Sequence, residues 1–141
     1  MNREALLYKK LDGNEVMCYL CAHGCVIPDG GYGICHVRRN EQGVLQTTVY
    51  GELQAANADP IEKKPLYHFL PGSRSFSIAT RGCNFRCGFC QNWQISQAPA
   101  EQRKLRSDES IAPEEIIHSA IRSGCASISY TYTEPTVFME F

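Results

Sequence analysis

The sequence predicts an α/β fold in two parts. A cysteine-rich β subdomain with its connector is expected over residues 1–73, and the first βαβ portion of a parallel sheet over residues 74–141. Three observations predict it. Seven of the eight cysteines fall in two tight clusters, Cys18 to Cys35 and Cys83 to Cys90. A β-branched and aromatic run, Ser75 to Thr80, comes just before the second cluster. An amphipathic helix and another apolar run, Ala126 to Thr131, come after it. Strand, loop, helix and strand in that order require the two strands to be parallel.

The elements follow in chain order. Leu6 to Leu11 and Glu15 to Cys18 flank Asp12-Gly13-Asn14, which reads as a hairpin with a glycine-containing turn. Residues 18–36 are rich in Cys, Gly and His with little apolar period, so they read as a loop ordered by metal. Val44 to Tyr50 is a strand, rich in β-branched side chains. Pro60, Pro65 and Pro71-Gly72 punctuate an irregular connector, which carries paired charges from Asp59 onward. Residues 103–110 are polar and read as loop. Pro113-Glu114-Glu115 opens a helix, with proline in the first turn and acids at the positive end of the helix dipole. Ile116, Ile117, Ala120 and Ile121 make its apolar stripe, and Gly124 closes it. A further helix is expected to begin at residues 137–141.

Composition narrows the function classes. The chain has 141 residues, a net charge of -1 and 43% hydrophobic residues, so it is neither disordered nor membrane-like. No apolar run approaches the ~20 residues that cross a bilayer. Near-neutral charge without a basic stripe argues against nucleic acid as partner. The start, Met1-Asn2-Arg3-Glu4, is not a signal peptide, so a cytoplasmic location is expected. In a reducing compartment clustered cysteines hold metal more often than disulfides. Cys125 stands alone and reads as a small buried hydrophobe.

Cys83, Cys87 and Cys90 form C-x3-C-x2-C directly after a strand. Three thiolates in one loop suit a [4Fe-4S] cluster with one iron left open for a small molecule. S-adenosylmethionine and radical chemistry are what that arrangement points to. A zinc site completed by His68 or His118 is the competing assignment. Thr133-Glu134-Pro135 follows the second strand, so both motifs lie at the carboxyl edge of one parallel sheet, where α/β active sites form. Arg81 and Arg86 flank the cysteine loop, placed to offset the charge of a thiolate-bound cluster.

C-x3-C-x-aromatic-C, with Phe89 as the aromatic, resembles the motif of radical S-adenosylmethionine enzymes. Asp59 to Phe69, Cys83 to Gln97 and Tyr130 to Thr136 together resemble the AmmeMemoRadiSam-system enzymes, relatives of the glycyl-radical (pyruvate formate-lyase) activating enzymes. The resemblance runs from about Cys18 to the last residue. It implies a partial TIM-type barrel, truncated here, since two strands cannot close one. It implies reductive cleavage of S-adenosylmethionine to methionine and a 5′-deoxyadenosyl radical. It also implies an electron donor of flavodoxin or ferredoxin type, and a protein substrate if the activating-enzyme kinship holds. By the same resemblance Phe89 sits near the adenine, and Thr133 and Glu134 belong to a Gly-Gly-Glu-Pro-like segment at the methionyl ammonium. Tyr132 and Thr133 stand where that segment has glycines.

Cys18, Cys21, Cys25 and Cys35 are spaced C-x2-C-x3-C-x9-C. Four thiolates would close a tetrahedral zinc site or hold a second iron–sulfur cluster, and the spacing does not choose between them. Two other function classes therefore stand beside the radical enzyme: an iron–sulfur electron-transfer protein and a zinc-stabilised interaction module.

Overall fold

The computed structural model describes residues 3–97 and 110–141. The chain opens with short strands β1 (Arg3–Glu4), β2 (Tyr8–Lys10), β3 (Val16–Cys18), β4 (Val26–Ile27), β5 (Arg38–Glu41) and β6 (Val44–Thr47). Strand β7 (Ala55–Pro60) and strand β8 (Arg74–Ala79) follow, then helices α1 (Trp93–Ser96) and α2 (Pro113–Arg122), then strand β9 (Ser127–Tyr130). Single 3-10 turns occupy Asp12–Asn14, Ile61–Lys63 and Pro135–Phe138. The expected loop over 103–110 lies, except for Ser110, outside the described residues.

The first hairpin forms as its sequence requires. Tyr8 pairs with Cys18 and Lys10 with Val16, antiparallel, around a turn in which Gly13 takes a φ of 66°. Strand β4 then adds to β3, so the cysteine-rich loop contains a short strand whose Ile27 is buried. Strand β5 has no apolar signature in Arg38-Arg39-Asn40-Glu41, yet it pairs with β6. Asn40, which points inward, is satisfied: its Nδ2 donates to the carbonyls of Asn14 at 2.7 Å and Ile27 at 2.9 Å. A buried polar group with its partners in place costs little.

Strand β7 stands where an irregular connector was expected. Ala-Ala-Asn-Ala-Asp-Pro has poor strand propensity. It is held by a six-residue antiparallel register with β8, from Ala55 opposite Ala79 to Pro60 opposite Arg74. Proline at the strand end forfeits no interior ladder bond. On its other side β8 pairs in parallel with β9, Ser75 opposite Ser127 through Ile78 opposite Tyr130. The sheet order is β7-β8-β9, mixed and open at both edges, and the described residues form no closed barrel. The architecture is α/β with mixed sheets.

Helix α2 buries Ile116 and Ala120 against this sheet, while Ile117 and Ile121 of the same expected stripe remain 49% and 68% exposed. Val37 and Val49 join Phe76, Ile78, Ile116 and Val137 in one core, so the 35–49 segment packs directly on β8 and α2. Fully burying a side chain such as Ile78 stabilises by ~1.5–3 kcal/mol. The chain ends in a 3-10 turn rather than the start of an α-helix, with the Phe138 and Phe141 rings stacked at 4.7 Å. Among the described residues no helix is long and apolar enough to cross a membrane.

Candidate functional site

Strand β8 ends at Ala79, and Thr80-Arg81-Gly82 lead into the cysteine loop. Gly82 has a φ of 80°, and a Cβ there would lie 2.6 Å from the carbonyl oxygen of Cys35. The loop can therefore cross the 35–37 segment closely only with glycine at this position. Past that crossing, Cys83, Cys87, Cys90 and Ser96 line one wall of a cavity of about 350 Å³. Thr133, Glu134 and Pro135, beyond the end of β9, line the other. The two strand-end segments thus meet across a single cavity.

Hydrogen bonds hold the β9 end in place. Thr133 Oγ1 donates to the carbonyl of Thr80 at 3.1 Å, and Asn92 Nδ2 donates to the carbonyl of Tyr132 at 3.1 Å. Tyr132 has a φ of 68°, in the left-handed region. That conformation is the one glycine adopts freely, so this backbone suits a glycine motif even though a tyrosine occupies it. Glu134 caps the following 3-10 turn: its Oε1 accepts from the Thr136 hydroxyl at 2.7 Å and the Thr136 N–H at 3.4 Å. Both bonds fall on Oε1, which leaves Oε2 for a ligand.

The metal assignments need correction. Among the described residues no group of three or more His, Cys, Asp or Glu side chains is arranged to hold a metal ion. Cys83 is buried with its sulfur taking the N–H of Phe85 at 3.4 Å. Cys90 Sγ lies 3.5 Å from Ser96 Oγ, and Cys87 is at the surface. Each thiol of the triplet answers to its own local environment. The [4Fe-4S] cluster assigned to Cys83, Cys87 and Cys90 does not fit these side chains as they stand.

The same finding overturns zinc or a second iron–sulfur cluster at the N-terminal four. Cys18, Cys21, Cys25 and Cys35 do line one cavity, of about 20 Å³, but their side chains are not arranged to hold a metal ion. Burial pushes the Cys35 thiol up, against smaller opposing effects of the Val37 and Arg38 N–H groups. His68 and His118, weighed as completing a zinc site with Cys83, Cys87 and Cys90, are exposed. His23 donates its ring Nε2–H to the carbonyl of Asn84 at 2.8 Å, docking one cysteine loop on the other.

The flanking arginines are also spoken for. Arg81 pairs with Glu52 at 3.2 Å and donates to the Thr48 carbonyl at 3.1 Å. Arg86 donates to the carbonyls of Cys83 at 2.9 Å and of Ile34. Phe89 is 89% exposed and does not line the cavity. Cys125 is half-buried against the core that contains α2.

One constellation was legible only as paired charges between prolines. The buried carboxylate of Asp59 accepts from Lys63 and Lys64, each at 2.9 Å, and from the hydroxyl of Tyr132. Burial by itself would raise its pKa; the bonds from Lys64, Tyr132 and Lys63 outweigh that and hold Asp59 well below the usual carboxylate range. A cavity of about 550 Å³ opens beside it, sharing Thr131 and Tyr132 with the cysteine–Glu134 cavity. Another cavity, about 620 Å³, lies on Asp29, Arg39 to Gln42 and Val44 and contains none of the candidate residues.

Comparison with known proteins decides the class of the second part. From Ser77 to the last residue the sequence matches the Radical SAM superfamily. Residues 77–141 are a radical SAM superfamily region. Over 139 residues the chain is 51% identical to an uncharacterized protein of Methanocaldococcus jannaschii, covering 99% of this chain. The chain spans 41% of that relative's length. No solved structure gives a significant match. The radical SAM region contains both strand-end segments that face the cavity, Cys83–Cys90 and Thr133–Pro135.

Proposed function

We propose that this chain supplies part of a radical S-adenosylmethionine enzyme and binds S-adenosylmethionine in the cavity between the cysteine loop and Glu134. The observation that carries the reading is the meeting of the two superfamily segments across that one cavity. Oε2 of Glu134 pairs with the methionyl ammonium in a charge-assisted hydrogen bond. Thr133, fixed by its bond to the Thr80 carbonyl, holds the backbone of that wall in position. Reductive cleavage of the sulfonium to methionine and a 5′-deoxyadenosyl radical needs one electron, which the described residues do not supply; what they do is bind and orient the sulfonium. The side chains as placed do not fit an iron–sulfur or zinc group, so no step of this reading runs through one. The finer kinship, to the AmmeMemoRadiSam-system and glycyl-radical activating enzymes, is supported by the motif residues Asp59 to Phe69 and Tyr130 to Thr136.

Isothermal titration of this chain with S-adenosylmethionine tests the reading, with Glu134→Gln as the variant. The substituted side chain retains an amide oxygen for the Thr136 cap, and loses the charge and the second acceptor oxygen, which becomes an NH2 donor. A charge-assisted bond is worth ~1.5–3 kcal/mol, roughly tenfold or more in affinity. Binding that weakens by that factor supports the site. No binding to the parent chain, or equal affinity in both proteins, overturns it.

A further inference from the structure

We propose that the cavity of about 550 Å³ beside Asp59 binds the anionic group, phosphate or carboxylate, of a second small molecule, the substrate of the neighbouring site. The substrate role rests on the reading above; the anion site stands on its own geometry.

The lining chemistry is one-sided. Lys63 and Lys64 bring two ammonium groups, and Gln54, Asn57, Gln91 and Asn92 bring four carboxamides. Among the described residues no carboxylate lines the cavity. Asp59 stands behind the lysines and takes one bond from each, at 2.9 Å. Each ammonium has three donors, so two on each remain after that bond. One carboxylate against two ammonium groups leaves a net positive charge. Tyr132 places its ring 4.7 Å from Lys64 Nζ and 5.6 Å from Lys63 Nζ, further fixing both heads. The low pKa of Asp59 agrees with this arrangement, since it keeps the anchor ionised.

Preorganised cations joined by amide donors make an anion site, because desolvating phosphate or carboxylate is offset only by charged or strongly polar donors. Lysine binds phosphate there as a point charge. Placement gives the site its purpose. Thr131 and Tyr132 wall both this cavity and the one lined by the cysteines and Glu134. A molecule anchored by its anion on the lysines needs to reach only past those two residues to enter the second cavity. Holding a substrate by a remote charged group is how binding energy positions a reacting centre.

The test is nuclear magnetic resonance of this chain, following the side-chain amides of Gln54, Asn57, Gln91 and Asn92 during titration with inorganic phosphate and, separately, with acetate. The variants are Lys63→Gln, whose ammonium is the more exposed of the two, and Asn57→Ala on the facing strand. Lys9→Gln, on the exposed strand β2, is the control. Expected are saturable shifts of the cavity amides, weakened at least tenfold by Lys63→Gln, weakened by Asn57→Ala and unaffected by Lys9→Gln. Saturation by phosphate alone names a phosphate group, and saturation by acetate as well names a carboxylate; either supports the site. No saturable shifts, or shifts that persist equally in Lys63→Gln, overturn it. S-adenosylmethionine titrated into the same samples separates the two readings. Anion binding without S-adenosylmethionine binding removes the enzyme reading and leaves the anion site, whereas the reverse removes the anion site alone.

Discussion

Tyr132 donates its phenolic proton to the carboxylate of Asp59, 73 residues earlier, and so ties the end of β9 to β7 across the strand between them. The bond also accounts for a tyrosine in a left-handed conformation. A non-glycine residue there costs ~1–3 kcal/mol unless the surroundings over-determine it. Here the ring lies over two lysines and the hydroxyl is fixed by a buried carboxylate.

Tyr132→Phe removes only the hydroxyl. A hydrogen bond to a charged group contributes ~1.5–3 kcal/mol, and Asp59 keeps both lysines, so a loss near the lower end is expected. Urea unfolding of the two proteins measures it. Equal midpoints with equal slopes would show that the bond contributes nothing. Tyr132→Gly loses the same bond and also the ring over Lys63 and Lys64, while it relieves the left-handed strain.

Acid should weaken this fold partly through Asp59. Its folded pKa lies below the ordinary value of 3.8. As pH falls through that value, the unfolded carboxyl takes up its proton before the folded one does. The stabilisation from Asp59 is therefore complete above about pH 3.8 and is lost progressively below it. Asp59→Asn should be less stable at neutral pH and should lose less stability on going from pH 5 to pH 2. Parallel pH profiles for parent and variant would show that another carboxyl controls the acid limb.

What the sequence showed and hid follows from the range of the interactions. The β2–β3 hairpin, helix α2 and the parallel pairing of β8 with β9 are written in local signals: a glycine turn at Gly13, a proline start at Pro113, and strand–helix–strand order. Strands β5 and β7 are not. Arg38-Arg39-Asn40-Glu41 and Ala55 to Pro60 become strands because distant partners complete their hydrogen bonds. The motif residues Cys83, Cys87, Cys90, Thr133 and Glu134 do share one cavity, as their strand-end positions imply. Cysteine spacing alone misled about metal, since spacing does not say where each sulfur turns. Phe89 points to the same lesson, being a motif residue at the surface.

Gly82→Ala should be among the costly single changes. The added Cβ would press on the Val37 side chain and lie 2.6 Å from the Cys35 carbonyl oxygen, at a φ of 80°. Left-handed strain and overpacking add, each ~1–3 kcal/mol. Thermal unfolding should register the sum. Gly72→Ala is the comparison: its φ of 74° carries the strain, but among the described residues no atom lies within 4 Å of the added Cβ. If both variants lose equal stability, close approach at Gly82 is not what the glycine is for.

Arg38 and Glu140 form a buried ion pair, with side chains 1% and 4% exposed, that joins β5 to the turn after β9. Arg38 also donates to the Leu6 carbonyl at 2.7 Å, and Glu140 accepts the Leu6 N–H at 2.9 Å. Yet Arg38 Nε and Glu140 Oε2 have no partner among the described residues. Such a pair is incompletely compensated for its desolvation, so its net contribution is small while the loss of one member is large. Arg38→Met should cost ~3–5 kcal/mol, because it strands a buried carboxylate. Glu140→Leu should cost as much by stranding the guanidinium. The double variant Arg38→Met, Glu140→Leu removes both charges and should recover most of the loss, apart from the two bonds to Leu6. A denaturant double-mutant cycle reads the coupling directly. Additive losses would mean that the two charges do not sense one another, and that the N-terminal sheet is held to the turn after β9 by packing alone.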